Sequence, residues 1–191
     1  MKRKVIIVGA GASGLTSAIC AARVGADVLV IERLDKPGKK ILATGNGRCN
    51  YTNDHMDITC FRSGDMKLCR HVIHMLNTKD IVAFFEGLGI VPKSKEGYYY
   101  PYSMQAASIA DVLINEALHL GVKIICGEKV LNIQKSKKQF IVKTEKNIYK
   151  SDAVILAAGG KASQKLGSDG SGYQLAKNFG LHITPESKER N

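Results

Sequence analysis

Lys4-Val-Ile-Ile-Val-Gly9-Ala-Gly11-Ala-Ser-Gly14 is the stretch whose reading decides the fold. Its first five residues are a short apolar run, the signature of a parallel strand buried on both faces. The glycines at 9, 11 and 14 match G-x-G-x-x-G and predict a tight turn. From Ser13 to Val24 the apolar Leu15, Ala18, Ile19 and Ala22 recur at helical spacing, and Gly25 is a natural stop. Asp27–Ile31 is a second β-rich run. The whole reads as a βαβ unit of about 30 residues, with the right-handed crossover such units nearly always have. The glycine pattern alone is weak. Set between a strand and a helix, with Glu32 eighteen residues after Gly14 at the end of the second strand, it becomes a dinucleotide fingerprint.

Each part of the fingerprint has a physical task. Gly9 permits the turn, Gly11 lets the backbone approach a pyrophosphate, and Gly14 lets the helix pack on the strand. Free N–H groups at the helix start, aided by the helix dipole, attract phosphates. The Glu32 carboxylate can accept hydrogen bonds from a ribose and repels a 2′-phosphate, which points to FAD or NAD rather than NADP.

Outward from this unit, residues 32–53 form a long loop punctuated by Gly38, Gly45 and Gly47. Loops of this length inside a compact domain are usually functional or disordered. Residues 65–77 and 79–87 read as helices, Gly97–Pro101 as a short aromatic strand, and Gln105–Leu120 as an amphipathic helix closed by Gly121. Val122–Cys126 is a further strand, and residues 128–150 alternate around two polar turns as a three-stranded antiparallel meander. Asp152–Ala157 is a buried strand, Gly172–Phe179 a helix stopped at Gly180, and residues 181–191 a frayed polar tail.

The chain of 191 residues is 45% hydrophobic and 24% charged, enough for one well-buried domain. Its formal charge of +11 attracts anions in general. The lysines fall in short clusters at Lys2–Lys4, Lys36–Lys40 and Lys135–Lys138, none interleaved with aromatics, so nucleic-acid binding is not expected. Five cysteines at unrelated spacings predict no disulfide framework and a reducing, cytoplasmic setting. No apolar stretch approaches the roughly 20 residues that span a bilayer, so a soluble protein without membrane partners is expected. Cys69, His71 and His74 lie on one predicted helix but lack a further ligand, and no metal is expected. The run Tyr98–Tyr100 reads as sheet packing rather than ring stacking, and Asp169 and Ser171 as caps that position the last helix.

The loop Pro37-Gly-Lys-Lys40-Ile-Leu-Ala-Thr-Gly45-Asn-Gly47-Arg48-Cys49-Asn50-Tyr-Thr-Asn53 resembles the signature of a bacterial flavoprotein family, the NAD(P)/FAD-dependent oxidoreductases that include aminoacetone-oxidase-like and bile-acid-pathway flavoproteins. Gly97-Tyr-Tyr-Tyr-Pro101-Tyr-Ser-Met-Gln105-Ala-Ala107, Val154-Ile-Leu-Ala157-Ala158-Gly159-Gly160 and Gly167-Ser-Asp-Gly-Ser-Gly-Tyr173 resemble its later motifs. The resemblance implies an α/β, Rossmann-like FAD-binding domain of the glutathione-reductase type over residues 1–191, with the helical segment 65–120 and the meander 128–150 included. It implies that Gly9, Gly11, Ala12, Ser13 and Gly14 contact the pyrophosphate and Glu32 the adenosine ribose. Arg33, Lys40 and the loop residues Gly45, Gly47, Arg48, Cys49 and Asn50 would follow the cofactor toward the flavin. The Val130 backbone would meet the adenine, and Ala157, Ala158 and Gly159 would close over the nucleotide.

The expected cofactor is therefore FAD, with NAD(P)H as electron donor. No histidine–aspartate pair or paired carboxylates mark a catalytic acid or base, so no catalytic residue is assigned. Cys49 beside Arg48 could be redox-active, but with no CxxC partner packing is the favoured reading. The resemblance also implies a chain about twice as long, so this one is expected to be truncated. The substrate domain and C-terminal return segment would be absent, and the face they leave bare would favour self-association or a partner. Two readings stay open: an oxidoreductase or its FAD-binding portion, and a catalytically silent nucleotide-binding or interaction module. The substrate is not legible.

Overall fold

The computed structural model describes residues 1–161 and 163–184; of the tail expected at 181–191, residues 185–191 lie outside the described residues. In chain order the elements are β1 (Lys4–Val8), α1 (Ala12–Arg23), β2 (Asp27–Ile31), α2 (Lys39–Leu42), β3 (Thr52–Asn53), α3 (Met66–Met75), α4 (Thr78–Glu86), β4 (Pro92–Lys95) and β5 (Tyr98–Pro101). They continue with α5 (Ala106–His119), β6 (Lys123–Ile125), β7 (Val130–Ser136), β8 (Gln139–Thr144), β9 (Ile148–Ser151), β10 (Ala153–Leu156) and α6 (Ser171–Asn178). The chain divides into two compact units, one of residues 1–40 and 116–191, the other of residues 41–115.

The first unit is built on a parallel sheet of order β10-β1-β2-β6. Its apolar run is buried as the sequence predicts, with Ile6 3%, Ile7 0% and Val8 6% exposed. Successive strand residues face opposite ways. Ile6, Val8 and Ile31 pack with Val130, Ile133 and Val142 of the meander and Leu175 of α6. Leu15, Ala18 and Ile19 bury the apolar stripe of α1. The meander β7-β8-β9 is antiparallel throughout. Its buried Glu128 accepts hydrogen bonds from Thr144, from Asn147 Nδ2 at 3.2 Å and from the Tyr149 hydroxyl at 3.2 Å. These donors, Thr144 foremost, hold the Glu128 carboxyl below its ordinary pKa despite the opposing effect of burial.

The second unit has a small antiparallel sheet of order β3-β5-β4. Strand β4 is absent from the sequence reading, because Pro92-Lys-Ser-Lys95 is polar and opens with a residue that cannot donate a ladder bond. The long loop of residues 32–53 likewise holds structure: the short α2, a 3₁₀ turn at Thr44–Gly47, and β3. Helix α4 starts at a capping box, the Asn77 side chain accepting from the Asp80 N–H while Asp80 accepts from the Asn77 N–H at 3.0 Å. Helix α3 buries no residue, leaving Leu68, Val72 and Met75 exposed.

Candidate functional site

In parallel register, Val8 pairs with Ile31 and with Leu156, and Ile31 with Ile125. The residues that follow these strand ends, Gly9, Glu32, Cys126 and Ala157, therefore share the carboxyl edge of the sheet. In open α/β sheets that edge is where ligands bind. The Gly9 N–H donates to the Ile31 carbonyl at 2.8 Å and the Ala157 N–H to the Val8 carbonyl at 2.8 Å, stitching the edge together.

The three fingerprint glycines differ in what a side chain would meet. At Gly9, where φ is +104°, a Cβ would lie 2.6 Å from the Ala157 carbonyl oxygen. At Gly14 it would overlap the Gly9 carbonyl oxygen. At Gly11 it would meet nothing within 4 Å. Gly9 and Gly14 thus serve the packing of turn, helix and β10, while Gly11 opens onto free space. Gly11 is the N-cap of α1 and provides no side-chain cap. The first helical bond runs from the Leu15 N–H to the Gly11 carbonyl at 2.9 Å. The N–H groups of Ala12, Ser13 and Gly14 consequently have no carbonyl of their own helix to meet. This is a positive helix end facing a space a Cβ would begin to fill, the shape and charge a pyrophosphate requires.

Glu32 does more than the sequence reading assigns it. Its carboxylate, 9% exposed, accepts the Ala10 N–H at 2.7 Å through Oε2 and the Leu34 N–H at 2.9 Å through Oε1. Two backbone donors therefore occupy part of its accepting capacity, and the remaining lone pairs can still receive ribose hydroxyls. Arg33 and Lys40 are engaged within the chain: Arg33 pairs with Asp169, and Lys40 Nζ donates to Ser168 Oγ at 2.9 Å. Asp169 in turn accepts the Ser171 N–H at 3.0 Å and sets up the start of α6. Burial opposes ionisation of Asp169, but the Ser171 bonds and the Arg33 charge hold its carboxyl below the ordinary pKa.

The two later glycine motifs pack on one another, which their separation in sequence conceals. A Cβ on Gly159 would come within 2.9 Å of Ser168 Oγ, one on Gly160 within 2.8 Å of the Tyr173 hydroxyl, and one on Gly172 within 3.1 Å of Ala158 Cβ. Val130, at the start of β7, has its side chain in the core. The structure thus brings Gly9–Gly14, Glu32, Arg33, Lys40, Val130 and Ala157–Gly159 into one unit.

The loop residues Gly45, Gly47, Arg48, Cys49 and Asn50 belong to the second unit. Gly45, Asn46, Gly47 and Cys49 all have positive φ, at +54°, +54°, +78° and +56°. For Asn46 and Cys49 this conformation is strained, and such strain clusters at functional sites. Arg48 is exposed, while Asn50 Nδ2 donates to the carbonyls of Thr52 at 3.1 Å and Tyr99 at 3.3 Å, tying the loop to β5. Cys49 is buried, and burial pushes its thiol pKa up against a weaker opposing bond from Thr44. A thiol so placed is protonated near neutral pH, which fits packing and not redox work. The neighbouring Tyr51 is pushed up to about 12, mainly by burial, and its hydroxyl and that of Thr52 have no partner among the described residues.

Among the described residues no group of three or more His, Cys, Asp or Glu side chains is placed to hold a metal. No helix there is long and apolar enough to cross a membrane.

Known proteins share this fold. The chain is 45% identical over 184 residues to a 3-dehydro-bile acid delta(4,6)-reductase of Clostridium scindens, covering 95% of this chain and 45% of that protein. It is 29% identical over 180 residues to a ribosomal RNA dihydrouridine synthase of Escherichia coli, covering 94% of this chain and 45% of that protein. The chain thus spans about half the length of the curated relatives it matches. Among solved structures, THI4 of Thermovibrio ammonificans matches with a TM-score of 0.57 at 16% identity, covering 95% of this chain and 64% of that one. CtdE in complex with FAD matches with a TM-score of 0.52 at 21% identity, covering 83% and 39%. A family model described as the HI0933-like protein Rossmann domain matches residues 3–188, and the chain belongs to that family.

Proposed function

We propose that this chain is the FAD-binding part of a flavin-dependent reductase that adds hydrogen across a carbon–carbon double bond. One observation carries the cofactor reading: the uncapped α1 terminus, with free space at Gly11 and the Glu32 carboxylate on the same sheet edge. The relatives support the reaction class. Their names, a delta(4,6)-reductase and a dihydrouridine synthase, both denote hydrogen added across a double bond, one in a steroid acid and one in ribosomal RNA.

On this reading the N–H groups of Ala12, Ser13 and Gly14 bind the pyrophosphate, and Gly9 and Gly11 keep the turn narrow enough to let it approach. Glu32 orients the adenosine ribose, the Val130 backbone meets the adenine, and Ala157, Ala158 and Gly159 line the nucleotide. Arg33 and Lys40 act through Asp169 and Ser168, fixing the segment that leads into α6. Gly45, Gly47, Arg48, Cys49 and Asn50 form the flavin-side loop, their backbone N–H groups suited to an anionic or carbonyl oxygen. When bound, the flavin supplies the hydride chemistry and the chain supplies orientation and electrostatics. NAD(P)H is the proposed donor, residues 1–191 the proposed FAD-binding domain, and the cytoplasm the proposed location.

The test is the visible absorption spectrum of the purified chain, followed by anaerobic addition of NADH. Flavin bands, and their bleaching by NADH, are the expected results. A colourless protein that FAD cannot reconstitute would sink the cofactor reading. Flavin that NADH leaves oxidised would favour the silent binding module.

A further inference from the structure

The hairpin β4–β5 has a face that the packing of its own unit leaves open. Directly opposed residues of an antiparallel pair project to the same side, and the register sets Lys93 opposite Tyr100 and Lys95 opposite Tyr98. Tyr102 joins them, the Lys93 Nζ standing 5.4 Å from the centre of its ring. The other side carries Tyr99 and the buried Pro101, with Tyr99 set 6.4 Å from the Tyr51 ring. Tyr98 and Tyr102 are 46% and 67% exposed, Lys93 and Lys95 are exposed, and Tyr100 is half-buried. Glu96 occupies the turn beyond Lys95.

Two ammonium groups and three phenol rings thus alternate over one patch. Along the chain they stand in separate blocks, Lys-Ser-Lys and then Tyr-Tyr-Tyr-Pro-Tyr; only the strand register interleaves them. We propose that this face is the docking platform for a single-stranded segment of RNA. The bases stack on Tyr98, Tyr100 and Tyr102, and the phosphates meet Lys93 and Lys95. Aromatic rings among cations are the arrangement that holds single strands, since every base offers a π-face and the backbone offers negative charge. A chain of formal charge +11 adds long-range attraction for a polyanion. A duplex fits poorly, because its stacked bases hide their faces.

The proposal rests on the reductase reading and names its substrate class. Tyr100 Cε1 lies 3.8 Å from the point where a Gly45 Cβ would stand. The Tyr51 N–H donates to the Tyr99 carbonyl at 3.0 Å, and Asn50 Nδ2 to the same carbonyl. The platform therefore borders the Gly45–Asn50 loop proposed for the flavin side, so a strand lying on it presents its bases beside that loop.

The test uses the whole chain with a fluorescein-labelled oligouridylate, read by fluorescence anisotropy across a salt series, with flavin absorbance recorded on the same samples. Saturable binding is expected, weakened about tenfold by Tyr98→Ala and by Tyr102→Ala. The double variant Lys93→Gln, Lys95→Gln should lower the slope of log affinity against log salt by about 1.4, about 0.7 for each phosphate left without its lysine. The double variant Lys135→Gln, Lys138→Gln, which removes the same charge from the meander, should leave most of that slope. No binding, binding untouched by the tyrosine variants, or an equally reduced slope in the meander control overturns the proposal. So does a steroid carboxylate such as cholate binding this face, with the oligonucleotide failing to do so. A yellow protein that does not bind RNA overturns this proposal alone. A colourless one with the expected tyrosine and lysine dependence supports the platform and removes the flavin reading.

Discussion

At Gly14 a single methyl group would overlap the Gly9 carbonyl oxygen, whereas at Gly11 it would meet nothing. The two positions should therefore separate folding from binding. Gly11→Val is expected to fold, with stability changed by about 1 kcal/mol for the poorer N-cap, yet to lose FAD because the side chain fills the pyrophosphate space. Gly14→Ala is expected to cost more than about 4 kcal/mol, an overlap with backbone that no rotamer relieves. Urea titration and flavin absorbance of both variants check the pair; retained stoichiometric FAD in Gly11→Val would refute the assigned site. Cys49 gives a second residue-level expectation. Burial raises its thiol pKa, while Cys20 and Cys60 are exposed. In the native chain at pH 8, iodoacetamide should modify Cys20 and Cys60 well before Cys49, as mass spectrometry of timed digests would show. At this scale the sequence exposes residue types but not their partners. That Gly11 opens onto space, and that Glu32 answers two backbone N–H groups, depends on how the turn at Gly9–Gly11 and residue 34 come to lie.

Among the elements, the βαβ unit was the most legible, because a buried parallel strand and an amphipathic helix each write their period into the chain. Asp27–Ile31 is a strand as its β-rich run predicts, and the three meander strands lie within the alternating segment expected to hold them. Strand β4 was not legible, since its two lysines serve an open face and the serine between them gives the other side no apolar period. Losing β4 also hid the lysine–tyrosine register on the hairpin. The meander depends on Glu128 as well as on its apolar face. The depressed pKa of Glu128 means that its stabilising effect is fully present above the ordinary glutamate value and is lost as pH falls through the lower folded value. Glu128→Gln should therefore be less stable than the parent at pH 7, with the gap closing as pH falls below about 4. Paired urea titrations at pH 7 and pH 3 test this; a gap of constant size would show that the carboxylate charge is not what holds the turn.

For the whole molecule, the division into units cuts across chain order. Residues 41–115 form one unit without interruption, while the other is assembled from residues 1–40 and 116–191. The sequence reading treated 1–191 as one domain because no Pro- or Gly-rich linker marks either crossing, and both crossings fall inside helices, α2 and α5. The exposed Leu68, Val72 and Met75 of α3 add an apolar surface that composition alone did not reveal. The strand order carries a consequence in time. β1 is made well before β10, yet β10 is one of its two neighbours and its turn packs on Ala157. A ribosome must therefore reach β10 before the glycine turn has its last wall, whereas the uninterrupted unit can finish earlier. Pairings so distant in sequence also close slowly in refolding. Pulse-labelled hydrogen exchange should find amides of α4 and β5 protected before those of β1, and protection of β1 arriving together with that of β10. The earlier-made strand would then be locked in place only when its later-made neighbour arrives, and the glycine turn would gain its last wall at that moment.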